Sequence, residues 1–172
     1  MCKVCDEKNG ARRGFLKFAA AGMATGIGLS VPQVFAASGP TTSLTADEAL
    51  AKLKAGNQKY LDEPQVCAAE LKSQRALVAK GQAPWATIVS CADSRVPPEL
   101  LFGGVGVGEL FVARNAGNMA DTATMGTIEY GSGVLGVPLI VVLGHERCGA
   151  VAAACEVAEK GTKITGSIGP KL

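Results

Sequence analysis

The stretch Trp85-Ala86-Thr87-Ile88-Val89-Ser90-Cys91-Ala92-Asp93-Ser94-Arg95 decides the fold. Its first half follows the breaker Pro84, is rich in β-branched residues and carries no charge. It predicts a buried strand of a parallel sheet over Trp85–Ser90. Its second half sets a thiol, a carboxylate and a guanidinium at the end of that strand. Open α/β sheets bind their ligands beyond the carboxyl ends of the strands. The pattern recurs further along: Pro138-Leu139-Ile140-Val141-Val142-Leu143 predicts another buried strand, and Gly144-His145-Glu146-Arg147-Cys148-Gly149 follows it. The two strand ends together offer two sulfurs, an imidazole and a carboxylate, which is a zinc-ligand set.

Spacing fits convergence on one ion. Cys91 and Asp93 are two apart, so on extended backbone they point to the same side. His145 and Cys148 are three apart at a loop-to-helix junction, and on a helix they share a face. Thiolate and imidazole favour zinc over magnesium or calcium. His145 is the only histidine of the chain. A lone histidine is more often a core or surface residue, but its companion Cys148 after a strand favours ligation here.

Outward from these words, the elements alternate. Thr45-Ala46-Asp47-Glu48 is a capping box that opens a helix to about Tyr60. Glu70–Lys80 predicts a second helix, closed by Gly81. Phe102–Gly108 is a glycine-rich loop, and Glu109–Ala113 predicts a strand running into Arg114-Asn115-Ala116-Gly117-Asn118. Asp121 to about Leu135 predicts a helix weakened by three glycines. Leu139–Leu143 is the last strand and Cys148–Glu159 a small-residue helix. Alternating strands and helices predict an α/β fold with a mainly parallel sheet flanked by helices. The glycines at 104–108 lack the strand-to-helix setting of a dinucleotide fingerprint, and neither a P-loop nor a nucleophile-elbow serine occurs.

The chain has 172 residues, 48% apolar and 19% charged, which suits one globular domain. Its formal charge of +2 is misleading. Residues 1–36 hold five of the 17 Lys and Arg but only two of the 15 Asp and Glu, so the remainder carries a formal −1. That excludes the basic footprint of a nucleic-acid binder. Ala11-Arg12-Arg13-Gly14-Phe15-Leu16-Lys17 resembles a twin-arginine export motif. The weakly apolar Phe18–Leu29 after it is too short for a membrane span, and Val34-Phe35-Ala36 is a small-residue cleavage site. The expected organisation is an export signal over 1–36, a linker over 37–44 and a zinc-binding domain over 45–172. The expected partner is the twin-arginine machinery, and the expected location periplasmic or otherwise extracytoplasmic. Cys2 and Cys5 would leave with the signal. Cys67 and Cys155 have no partner visible in sequence, although an oxidising compartment permits a disulfide between them.

Three words, Cys91-Ala92-Asp93-Ser94-Arg95-Val96-Pro97, Phe111-Val112-Ala113-Arg114-Asn115-Ala116-Gly117-Asn118 and Gly144-His145-Glu146-Arg147-Cys148-Gly149-Ala150, together resemble a β-class carbonic anhydrase over residues 45–172. The resemblance implies reversible hydration of carbon dioxide to bicarbonate by zinc-bound hydroxide, one zinc ion per subunit, and a homodimer or higher even oligomer. It makes Cys91, His145 and Cys148 metal ligands. Asp93 is either the fourth ligand, closing the site, or the partner of Arg95, which then opens it. It further implies that Gln82 reaches the substrate across a dimer interface, that Phe111 lines the pocket and that the amide of Gly149 lies close to it. Arg114 and Asn115 are expected to brace the loop after the second strand, with Glu146 and Arg147 solvated. In the family further helices and a last strand follow the His-x-x-Cys word, so C-terminal elements are expected to be missing after Leu172. Two rivals stand beside this: carbon disulfide or carbonyl sulfide as substrate, and a non-catalytic zinc protein with Asp93 permanently on the metal.

Overall fold

A computed structural model describes residues 41–63 and 71–171. The expected export signal, the first part of the linker and Cys67 lie outside the described residues. Those described fall into two compact units, 41–148 and 149–171.

The larger unit holds a three-stranded, all-parallel sheet in the order β2-β1-β3. Strand β1 is Ala86–Cys91, β2 is Leu110–Asn115 and β3 is Ile140–Leu143. Every residue of β1 is buried, as its unbroken apolar reading predicts for a central strand. Helix α1, Ala46–Asp62, starts at Thr45, whose side chain accepts from the Glu48 amide while Glu48 accepts from the Thr45 amide. Helix α2 is Leu71–Val78. A short helix α3, Pro98–Leu101, was not expected; Pro98 supplies its first turn with a pre-set φ. Helix α4, Thr122–Gly133, is capped by the Asp121 carboxylate, which accepts from the Thr124 amide.

The sheet's two faces are covered differently. Ala49 and Leu53 of α1 form a core with Trp85, Ala86 and Ile88, flanked by Phe102, Val112 and Val141. On the other face α4 packs over β2 and β1. Gly131 makes this approach possible, because a Cβ there would sit 2.8 Å from Thr87 Oγ1 and 3.1 Å from the Phe111 ring. The glycine that weakened the helix reading is therefore a packing requirement. Beside it, Ile140 and Val142 are exposed at 45% and 71%. This corrects the reading of the last strand as buried: among the described residues β3 is a sheet edge, and α4 lies over its neighbours.

Parallel neighbours require crossovers. The chain leaves β1 for β2 on one side, then returns past β1 to β3 on the other. That reversal puts a topological switch point between β1 and β3, and the crevice at their carboxyl ends is the place such sheets reserve for ligands. In the smaller unit, helix α5 is Gly149–Lys160 and a 3-10 helix follows at Gly166–Lys171.

Candidate metal centre

Cys91 ends β1, while His145 and Cys148 follow β3. Their ligand atoms all lie within 4.8 Å of one another. The two sulfurs are 3.9 Å apart. Two thiolates on a tetrahedral zinc, each at about 2.3 Å, would stand about 3.8 Å apart. His145 Nδ1 pairs with the Glu146 carbonyl at 2.9 Å, so Nδ1 carries the proton and Nε2 the lone pair. That Nε2 is buried and has no hydrogen-bond partner. A buried acceptor without a donor is costly, and a metal ion would use it. The donor set thus fits zinc in number of sulfurs, spacing and tautomer.

His145 and Cys148 do not share a face of a helix, as expected. They flank a turn at Glu146–Arg147, and Arg147 there has φ 53°. The left-handed residue folds the chain back so that both side chains reach Cys91 ahead of α5.

Asp93 is drawn towards Arg95. The Arg95 guanidinium donates from Nε to Oδ1 at 2.9 Å and from Nη2 to Oδ2 at 2.7 Å, and the Arg95 amide adds a bond to Oδ1 at 2.9 Å. This is the bidentate fork that only arginine provides. Asp93 Oδ2 still lies 3.9 Å from His145 Nε2, beside the donor trio but outside it. Arg95 holds the Asp93 carboxyl well below the usual carboxylate range. Burial pushes the Cys91 thiol up. The Gly117 amide, the neighbouring His145 ring, the Asp93 amide and Cys148 outweigh that and bring it from 9.0 down to about 7. Cys91 is thus poised to become the thiolate that a metal requires. The adjacent Cys91 sulfur raises the His145 pKa against the opposing effect of burial.

Around the trio stands a layer that sequence reasoning missed. Arg114 was expected to brace the loop after β2. Instead it crosses to β1, donating from Nε to the Cys91 carbonyl at 2.8 Å and from Nη2 to the Asp93 carbonyl at 2.6 Å. Asn115 does brace that loop, binding Met119 N and O and Thr124 Oγ1. Gly117 and Asn118 touch Cys91 and Leu143 respectively. The adjacent pair Gly-Asn, tolerant of positive φ, was the available signal. Arg147 is exposed, as expected, and its carbonyl accepts from Arg95 at 3.4 Å.

The other expected site residues are not among the donors. Phe111 stacks on Tyr130 with ring centroids 6.0 Å apart. It pairs with Thr87, four positions before Cys91 and so about 13 Å down the strand. Gln82 lies next to Gly108, near the amino ends of β1 and β2. Gly149 opens α5 in the smaller unit.

Residues 86–171 match the carbonic anhydrase family. The chain belongs to that family. Carbonic anhydrase 2 of Mycobacterium tuberculosis is 47% identical over 110 residues, covering 64% of this chain and 53% of that protein. The carbonic anhydrase of Mycolicibacterium smegmatis is 41% identical over 116 residues, covering 67% and 56%. Among solved structures, the β-carbonic anhydrase CafA of Aspergillus fumigatus superposes with a TM-score of 0.51 at 32% identity, covering 69% of this chain and 56% of that one. The chain therefore spans about half the length of the curated relatives it matches, 53% in the first of these. Like this α/β chain with its parallel sheet, the relatives are of the β class where their fold is named.

Proposed function

We propose that this carbonic anhydrase family member hydrates carbon dioxide reversibly to bicarbonate and a proton, at a zinc ion held by Cys91, His145 and Cys148. The observation that carries the reading is the division of labour between three convergent donors and a fourth, Asp93, that Arg95 holds aside. Three protein ligands mark catalytic zinc sites and four mark structural ones. When bound, zinc acts as a Lewis acid that turns water into a nucleophile near neutral pH.

The chain's own residues do the rest. Asp93 is kept ionised by Arg95, so beside the metal position it accepts a proton-bearing bond and orients what it holds. Arg95, with its third tie to the Arg147 carbonyl, keeps that carboxylate from turning inward. A permanently closed, non-catalytic site would have no use for that clamp. Gln82 stands at the far end of β1 from Cys91, six strand residues and about 20 Å away. It can serve only the site of a second copy, which supports a homodimer or higher even oligomer with Gln82 donating to a bicarbonate oxygen. An amide placed so favours carbon dioxide over carbon disulfide or carbonyl sulfide.

Export by the twin-arginine route to an extracytoplasmic space rests on Arg12 and Arg13 in their sequence setting. No helix among the described residues is long and apolar enough to cross a membrane.

The test is zinc content and stopped-flow carbon dioxide hydration of the full 172-residue chain, before and after chelation. Activity should follow zinc, and Asp93→Asn should keep the metal while losing most of the rate. A zinc-loaded chain without hydration activity, or an Asp93→Asn variant with the full rate, would sink the reading.

A further inference from the structure

Ligands on two different strands share an ion only if the strand ends are held together beyond the last rung of the ladder. Here the β1–β3 pairing runs from Thr87 and Ile140 to Ser90 and Leu143. It stops one residue before Cys91 and two before His145. Past that point main-chain pairing no longer fixes one half of the site against the other.

A turn from neither strand spans the gap. Gly117 and Asn118 have φ of 80° and 56°. The Gly117 amide donates to Cys91 Sγ at 3.4 Å, and the Asn118 side chain donates from Nδ2 to the Leu143 carbonyl at 2.7 Å. Two successive residues therefore touch the two halves. Asn115 anchors the turn from behind, through Met119 and Thr124. Of the residues that accept this backbone readily, only asparagine brings a donor: glycine brings nothing and aspartate only acceptors. The orientation of the amide follows, because turning it over would set two oxygens face to face. Asn118 Oδ1 is buried without a partner, so the amide is retained despite the cost of that atom.

We infer that Asn118 is a positioning residue for the metal centre, clipping the end of β3 to the turn that holds Cys91 and so setting His145 at the distance a shared ion requires. The inference rests on reading Cys91, His145 and Cys148 as metal ligands. Outer groups that orient metal ligands commonly cost about 10–100-fold in affinity when removed.

Three variants of the full chain separate the clip from the turn and from general stability. Asn118→Gly keeps the left-handed backbone and deletes the side-chain bond. Asn118→Asp keeps the size and turns an oxygen on the Leu143 carbonyl. Asn57→Ala removes a bond of the same kind, Nδ2 to the Leu101 carbonyl at 2.9 Å, on α1. Zinc affinity is read by competition with a chromophoric chelator, and ligand geometry by the thiolate-to-metal absorption of the cobalt-substituted chain. Asn118→Gly should bind zinc about 10–100-fold more weakly and shift the cobalt spectrum, with Asn118→Asp at least as weak. Asn57→Ala should melt earlier with affinity and spectrum unchanged. Equal zinc affinity in wild type and Asn118→Gly, or the same loss in Asn57→Ala as in Asn118→Gly, overturns the clip. Should the wild-type chain itself fail to bind zinc, the metal-ligand reading falls and the clip with it.

Discussion

At the amino ends of β1 and β2, Trp85 and Glu109 stand side by side. The Trp85 amide donates to the Glu109 carbonyl at 3.0 Å, and its indole donates to Oε1 at 3.2 Å. Lys52 comes across from α1 to the same Oε1 at 2.6 Å, with its ammonium 4.6 Å from the indole ring centroid. The Gly106 amide takes Oε2. At the carboxyl ends of the same two strands the polar groups are as dense, but the accounting differs. Arg114 satisfies two carbonyls and Arg95 both oxygens of Asp93, yet His145 Nε2 is left buried with nothing to bind, next to two thiols. A polar cluster that satisfies itself is a brace. One that keeps a lone pair in reserve, and spends left-handed residues and arginines on holding it, is built for a ligand.

The comparison breaks most visibly at the metal donors. Cys148→Ala should abolish stoichiometric zinc binding and reduce carbon dioxide hydration to background, a larger loss than the about 10–100-fold typical of outer partners. Elemental analysis and stopped-flow hydration check it, and a variant that retained full zinc would remove Cys148 from the donor set. Next in size is the clamp on Asp93. Arg95→Ala should keep zinc but lower the hydration rate by about 10–100-fold, because the freed carboxylate can turn to the metal. Arg95→Lys should fail to restore it, since an ammonium cannot hold both oxygens in one plane. A lysine variant at the wild-type rate would mean that charge alone suffices.

What the sequence disclosed follows the same division. The gathering of Cys91, His145 and Cys148 beside the Asp93–Arg95 pair was legible because each residue stands in a short word at a strand end, where residue type and spacing carry the meaning. The central strand was legible because its six residues are buried together, and α1 because its start is written locally in Thr45 and Glu48. Arg114 and Asn118 were not, since their roles depend on where a side chain from β2 or its loop ends up after crossing to another strand. The exposed side of β3 was equally hidden: Ile140 and Val142 are as apolar as Ile88 and Val89, and only the strand order tells a central strand from an edge. The turn at Glu146–Arg147 was hidden because three-residue spacing suits a turn as well as a shared helix face.

The amino-end brace gives the smallest effect and the sharpest contrast. Glu109→Gln keeps the shape and removes the charge. Its partner Lys52 is about half exposed, at 48%, so screening limits the ion pair. The expected loss is therefore only about 1 kcal/mol of unfolding free energy, shared between that pair and the Trp85 and Gly106 bonds. Zinc affinity should not change, in contrast to Cys148→Ala and Asn118→Gly at the other end. Acid should erase the difference. Burial pushes the Glu109 carboxyl up, but Lys52, the Gly106 amide and the Trp85 indole together outweigh it and leave it below its ordinary 4.5. A carboxyl depressed by folding stabilises fully above its unfolded value and loses that contribution as the pH falls through its folded one. Denaturant unfolding of wild type and Glu109→Gln should thus show a constant gap from about pH 7 to about pH 5.5, closing below 4.5 as the native carboxylate takes up its proton. A gap that survived undiminished in strong acid would show that shape rather than charge holds the brace, and the two ends of the strands would then differ less in kind than the bonds around Glu109 indicate.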